Sequence, residues 1–425
     1  MQKLIKILIT ALLIVIPLYP KFPSIKLPGI YVAIRIEDFL IMFSLLVFAV
    51  PLIKNIKSIL RNKVVRAILI FIFIGLVSTL SGFFVSTTTE LSITFLHFFR
   101  RIEYLSMFFV GYLYMRNLSS SRKDFFDYII KILLIVNFLI LFYGLGQRFL
   151  NFPVILTQNE EYSKGVALSW VPGAHINSTF AGHYDLASYM VLIIPILISA
   201  FFIFKDKISK IILALSIASG FWLLSVAVSR ISILSFIVAS TVSLFLLKKY
   251  KEIIAIFIIS AIVFGLSADL RVRYGRIIDV VKEKISSILV VYAAEDGNVN
   301  EDRSTSIRLK VEWPRAIRAF TKNPLLGTGY SSITLATDND YLRALGETGI
   351  LGLLSFLLVI VMILLSFKGY VFQNSTESLF VASFIGSTVG ILTTALFIDI
   401  FEASKFASMY WLLAGFTVGS VNKNK

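Results

Sequence analysis

Lys54 to Leu91, KNIKSILRNKVVRAILIFIFIGLVSTLSGFFVSTTTEL, is the stretch that decides the architecture. Its middle, from about 64 to 85, is a run of apolar residues long enough to cross a hydrocarbon layer of about 30 Å as a helix. Lys54, Lys57, Arg61, Lys63 and Arg66 crowd its leading edge, whereas the connection from Ser86 to Leu91 contains no Lys or Arg. Bases collect on the cytoplasmic side of short membrane loops, so this one segment supplies both a span and its direction.

The pattern recurs along the chain. Apolar windows lie near 4–19, 30–53, 64–85, 92–115, 127–147, 185–204, 209–227, 231–248, 251–268, 347–367, 378–398 and 404–420. Basic connections alternate with ones nearly free of Lys and Arg, the basic ones being Arg116, Arg122 and Lys123, then Lys205, Lys207 and Lys210, then Lys248, Lys249 and Lys251. The prediction is an all-α polytopic transmembrane helix bundle of about 12 spans in the cytoplasmic (inner) membrane, with both termini cytoplasmic. The first run, Leu4 to Tyr19, lacks small residues at a cleavage site and is read as an uncleaved span. Composition agrees, with 57% hydrophobic and only 16% charged residues, unlike the roughly 25% charge of soluble domains. The formal charge of +16 is then mostly a topology signal, and nucleic acid is not an expected partner. With no cysteine, thiolate nucleophiles and Cys-based metal centres are excluded.

The chain reads as a single membrane domain, 1–425, with two long connections on the extracytoplasmic side, 148–184 and 269–347. In the second, Ile307, Val311, Ile317 and Phe320 recur at helical spacing, predicting an amphipathic helix against the bundle, kinked or restarted at Pro314. Asn323-Pro324 should end it, and Gly327 and Gly329 should shape the following turn.

Ionisable groups inside spans are costly, so their depth is informative. Arg35, Glu37 and Asp38, then His97, Arg100, Arg101 and Glu103, then Gln147 and Arg148, Arg230, and finally Asp399, Glu402 and Lys405 all fall toward the outer leaflet. The clusters are either mutually neutralising ion pairs or the lining of an outward-facing cavity. A transporter would need a polar path through the midplane, and none is evident.

The window Arg303 to Leu354 concentrates the chemistry: RSTSIRLKVEWPRAIRAFTKNPLLGTGYSSITLATDNDYLRALGETGILGLL. Arginine donates two parallel hydrogen bonds to a phosphate and keeps its charge. A carboxylate beside it, Asp338 or Asp340, is a competent general base toward a hydroxyl. The Asp338-Asn339-Asp340 triplet also admits a divalent metal through hard oxygen ligands, or a purely structural role as a helix N-cap and its neighbour. The preferred reading has no metal and no cofactor. His175 and His183 flank Asn177 to Phe180 in the first outer loop, as surface residues or sugar contacts, and Trp170 and Tyr184 read as interfacial anchors or sugar platforms. Glu347 suits a helix start.

The same window resembles the O-antigen ligase and polysaccharide polymerase family. The residues that carry the likeness are Arg308-Leu309, Trp313, Asn323-Pro324-Leu325, Gly327, Gly329, Asp338-Asn339, Tyr341-Leu342, Glu347, Gly349 and Gly352, with Asn177 to Phe180, Ala187 and Ser229-Arg230 matching more loosely. The resemblance implies transfer of a glycan from undecaprenyl diphosphate to an acceptor sugar at the outer face of the cytoplasmic membrane. It implies Arg230 and Arg308 as diphosphate clamps and a base in the second loop. Asp338 stands where ligases typically carry His, which favours a repeat-unit polymerase over a ligase. The full candidate set is Asp338 and Asp340 as catalytic, with Arg230, Arg308, Arg303, Arg100, Arg101, His183 and Tyr341 binding substrate. Expected partners are the lipid-linked glycan, membrane lipid, a chain-length regulator and a flippase. The alternatives are an O-antigen ligase and a twelve-span transporter or flippase of lipid-linked oligosaccharide.

Overall fold

A computed structural model describes residues 2–20, 24–26, 33–118, 121–155, 167–172, 174–266, 307–333, 336–370 and 375–421. The helices are α1 (Gln2–Leu18), α2 (Ile36–Lys54), the short α3 (Ile56–Ile59), α4 (Lys63–Phe84), α5 (Leu91–Arg116), α6 (Arg122–Phe149), α7 (His183–Ala200), α8 (Lys207–Val226), α9 (Arg230–Leu246), α10 (Tyr250–Leu266), α11 (Trp313–Lys322), α12 (Asp340–Ser366), α13 (Thr376–Thr394) and α14 (Ser404–Val421). Among the described residues there are also two antiparallel pairings of two residues each, Ile25–Lys26 with Ala33–Ile34 and Val154–Ile155 with Ala167–Leu168. The protein is thus an all-α polytopic bundle. Among the described residues seven helices, α2, α4, α6, α7, α8, α12 and α13, are long and apolar enough to cross a membrane, and α9 is a shorter apolar helix. Each of the twelve apolar windows read from the sequence coincides with a helix.

Burial sorts the helices into centre and rim. Every residue of α14 is buried, and α7 is nearly as enclosed, while α2 and α10 turn rows of Ile, Leu and Phe outward. Lipid is as apolar as leucine, so close backbone approach rather than hydrophobicity brings such helices together. Gly386 and Gly390 of α13 lie against α9, where an added Cβ would meet Ala239 O and Ser235 O at 2.4 and 2.5 Å. Gly415 on α14 meets Phe108 O of α5 at 2.2 Å by the same measure. The small-xxx-small spacing of these glycines is what permits the contact. In α6 the buried Asn137 donates to Ser216 O and to the hydroxyls of Ser216 and Ser219 on α8, at 2.8–2.9 Å.

α12 contains a break. Gly349 has φ 67° and ψ −171°, a conformation open to glycine and closed to other residues. The break strands backbone groups, each costing about 1–3 kcal/mol if buried without a partner. Asn323 to Gly329 supplies the partners. Thr328 N–H and Gly329 N–H donate to Gly346 O and Glu347 O at 3.0 and 2.9 Å, while Ile350 and Leu351 donate back to Pro324 O and Leu325 O at 2.9 and 3.3 Å. From α4, the Ser78 hydroxyl lies within bonding distance of both Leu326 O and Glu347 O, 2.6 and 2.8 Å. Irregular backbone at membrane depth is tolerated only where protein satisfies it. The Asn-Pro-Leu-x-Gly-x-Gly motif is therefore a plug for the Gly349 break, not only the predicted turn.

The expected amphipathic helix forms, as a π-helical turn over Arg308–Glu312 that becomes regular α11 at Trp313, with Pro314 in the first turn. Its contact face differs from the expectation. Ile307, Val311 and Ile317 are exposed, Phe320 is half-buried, and Ala316 is the residue buried against α12; the π turn over Arg308–Glu312 interrupts the 3.6-residue period between Ile307 and α11. Small Ala316 allows the approach, with its carbonyl near Gly346.

Candidate active site

The helix starts and ends that carry charge meet at one end of the bundle. Lys405, at the start of α14, donates to Pro17 O at 3.2 Å and Thr179 O at 2.6 Å, tying the end of α1 and the loop before α7 to the same point. α9 and α13 run antiparallel, so Arg230 opens α9 near Ala395, and Asp340 N–H bonds Ala395 O at 2.9 Å. Arg230 is half-buried behind the Ser229 N-cap.

Nearest the surface at this end, Arg308 meets Asp338. Nε and Nη2 of Arg308 donate to Asp338 Oδ2 at 3.0 and 2.7 Å, and the Tyr184 hydroxyl borders the same guanidinium. Both side chains are largely enclosed, 11% and 23% exposed, but open enough to be reached by a ligand. Burial works against the charge of Arg308, and Asp338 and Tyr184 more than compensate, so its pKa rises. Burial raises the Asp338 carboxyl above the usual range, with Arg308 opposing. Asp338 has φ 49°, left-handed backbone that non-glycine residues seldom adopt. Glu312, one turn on from Arg308, is pushed up to about 7 by burial and by the field of Asp338, and its Oε2 is buried without a hydrogen-bond partner.

Behind this pair lies a denser network. Asp399 accepts from Thr337 N–H at 2.7 Å and Asn339 N–H at 2.9 Å, and Arg343 Nη1 pairs with it at 2.8 Å. Asp340 Oδ2 accepts from the Ile400 and Phe401 amides at 2.9 and 3.3 Å. Arg343 Nε also lies 3.4 Å from Glu347 and 3.3 Å from Glu402. Arg101 pairs with Glu402, donates to Phe401 O at 3.0 Å and sits over the Tyr330 ring. A cavity of about 60 Å³ lies among Arg101, Arg343, Asp340, Glu347, Glu402 and the rings of Phe71, Tyr104, Tyr330, Phe356 and Trp411. Burial and the nearby Glu347 hold the Tyr330 hydroxyl up at about 12.

The sequence candidates thus separate. Arg308 and Asp338 come together. Asp340 is spent on backbone amides, and Asn339 caps α12 by accepting from Leu342 N–H at 2.9 Å, so this part of the triplet is a helix start. Arg100 bridges Asp38 and Glu103, both at 2.9 Å, and Arg101 is matched by Glu402, so both are charge-compensated within the bundle. Arg35, expected to pair with Glu37 or Asp38, instead reaches the Ser404 hydroxyl at 3.5 Å through its side chain, and only its backbone N–H bonds Asp38. His183 stacks on His175 at 4.1 Å between centroids and on Tyr184 at 4.0 Å, which carries it to the edge of the Arg308 site. Tyr341 donates to Leu392 O at 2.8 Å, a packing role. Arg303 lies outside the described residues. Among the described residues no group of three or more His, Asp or Glu is arranged to hold a metal.

Sequence reading missed Arg343 and Glu312. Arg343 follows Asp340 by three residues, and that i, i+3 spacing on a helix opening beside two acids was the available signal. Glu312 sits at i+4 from Arg308 in a basic helix.

Residues 212–357 match the family model described as O-Antigen ligase, a stretch running from α8 into α12 and containing Arg230, Arg308 and Asp338. No curated protein matches the chain. This multi-pass membrane protein thus carries a segment similar to the O-antigen ligase family, which indicates O-antigen ligase-type activity in glycan assembly.

Proposed function

We propose that the protein polymerises undecaprenyl-diphosphate-linked oligosaccharide repeat units into a surface polysaccharide, O-antigen, capsule or exopolysaccharide, at the outer face of the cytoplasmic membrane. Both termini then lie in the cytoplasm, and the connections 148–184 and 269–347 face outward as parts of one membrane domain. The observation that carries this reading is the Arg308–Asp338 pair, a phosphate-binding cation and a base held together beside Tyr184.

The chemistry follows from the pairing. An acceptor hydroxyl attacks the anomeric carbon of the donor glycan. The bond from that carbon to the diphosphate oxygen breaks, and the electron pair leaves with the lipid diphosphate. Arg308 stabilises the departing charge with its two donors, joined by Arg230. The hydroxyl proton passes to Asp338. In the free protein these two residues neutralise each other. An arriving diphosphate competes for the guanidinium, so the carboxylate is released when its substrate is present. Tyr184, His183 and Trp170 offer rings and polar edges to sugar. A chain-length regulator and a flippase are the partners this reaction calls for.

Purified protein supplied with lipid-linked repeat units should convert them to a ladder of longer lipid-linked glycans. An unchanged size distribution would overturn the proposal. A second reading is favoured by the description of the matching family: ligation of finished glycan to a different acceptor. It predicts no ladder from donor alone, and a single larger product once that acceptor is added.

A further inference from the structure

We infer that Asp399 is a positioning residue for Asp338, holding the two peptide N–H groups on either side of it so that its carboxylate stays aimed when Arg308 lets go. The inference rests on the reading of Asp338 as the base. The Asp399 oxygens are divided between the flanks of Asp338. Oδ2 accepts from Thr337 N–H at 2.7 Å and Oδ1 from Asn339 N–H at 2.9 Å. The residue between them is in left-handed backbone, φ 49°, a conformation that persists only where its surroundings impose it.

The other contacts of this segment lock the frame in which the clamp works. Asn339 Nδ2 donates to Leu396 O at 2.9 Å, and Asp340 N–H donates to Ala395 O at 2.9 Å. Asp340 returns the gesture by accepting from the amides of Ile400 and Phe401. Two carboxylates thus clasp two loops reciprocally, each gripping the backbone of the other loop. Arg343 Nη1 donates to Asp399 Oδ2 at 2.8 Å, which sets a cation against the clamping carboxylate. Arg308 lies outside this clasp. Its shift from Asp338 to a diphosphate leaves the backbone of residues 337–339 fixed, so the freed carboxylate does not collapse elsewhere.

Asp399→Asn tests the idea, since the amide keeps the size but can accept with one atom only. The variant should insert and accumulate normally. Its turnover in repeat-unit lengthening should fall roughly 10- to 100-fold with donor KM within about twofold, since the diphosphate site is untouched. In a double variant with Asp338→Ala the loss should be no deeper than for Asp338→Ala alone, because a clamp without its base has nothing to position. Amide hydrogen exchange at Thr337 and Asn339 should accelerate in Asp399→Asn, a readout independent of activity. Full turnover in Asp399→Asn, or losses that add in the double variant, would overturn the role. Unchanged exchange would overturn the clamp itself. Wild-type protein that lengthens nothing would instead fail the polymerase reading, and the exchange measurement would still decide the clamp.

Discussion

Arg308 holds Asp338 by one oxygen. Nε and Nη2 both converge on Oδ2, at 3.0 and 2.7 Å, so the pair makes no use of Oδ1. A guanidinium fork can instead take two oxygens of a carboxylate or a phosphate in parallel. Replacing the single carboxylate oxygen by two phosphate oxygens therefore improves the geometry of Arg308 while it releases Asp338. Lysine, with one point of charge, cannot make that exchange. Arg308→Lys should lower lengthening by about 10- to 100-fold and Arg308→Ala by about 10²–10³-fold, measured as initial rate with purified lipid-linked repeats. A fully active lysine variant would reduce Arg308 to a general electrostatic attraction.

Asp338→Ala should cost about 10²–10³-fold in turnover, the range of a lost general base, with the protein still inserted and abundant. Normal polymer from cells carrying that variant would remove Asp338 from the chemistry. Asp340→Ala should behave differently. Its carboxylate caps the Ile400 and Phe401 amides, so its removal should lower thermal stability in detergent as well as activity.

Glu312 gives a pH prediction. Its carboxyl is pushed up to about 7 from an ordinary value near 4.5, chiefly by burial and then by Asp338. Between those two values the unfolded chain has released the proton while the folded protein still holds it, so folded stability falls as pH rises through that window. Glu312→Gln removes the penalty. The variant should melt higher than wild type at pH 8 and show little difference near pH 4.5. An equal shift at both pH values would remove ionisation of Glu312 as its source.

The break at Gly349 predicts a folding defect. A Cβ there would lie 2.3 Å from Leu325 O, on backbone that only glycine adopts. Gly349→Ala should destabilise by roughly 1–3 kcal/mol from the backbone alone, more with the clash, and reduce the yield of folded protein extracted in mild detergent. Wild-type yield and melting temperature would contradict the assignment of Asn323 to Gly329 as the plug.

Spans were legible because length and hydropathy are local: Ile36–Lys54 and Lys63–Phe84 can be read without knowing what they touch. Motif function was less so. Gly327, Gly329, Glu347 and Gly349 are visible as a pattern, but that they are one hydrogen-bonded joint across the chain is a matter of tertiary contact. Arg343 and Asp399 stand 56 residues apart, and nothing local marks them as partners. The helical spacing of Ile307 and Val311 does not carry over into α11, because the π turn at Arg308–Glu312 interrupts the 3.6-residue period.

The absence of cysteine permits a labelling experiment without background. Ala336 is exposed two residues before Asp338, and Ala336→Cys should leave the Arg308 pair intact. In intact spheroplasts a membrane-impermeant maleimide should label it as fully as in lysed cells, since the donor and the base must share the outer compartment. Labelling that appears only after lysis would put Asp338 in the cytosol and contradict transfer from a lipid-linked donor at the outer face.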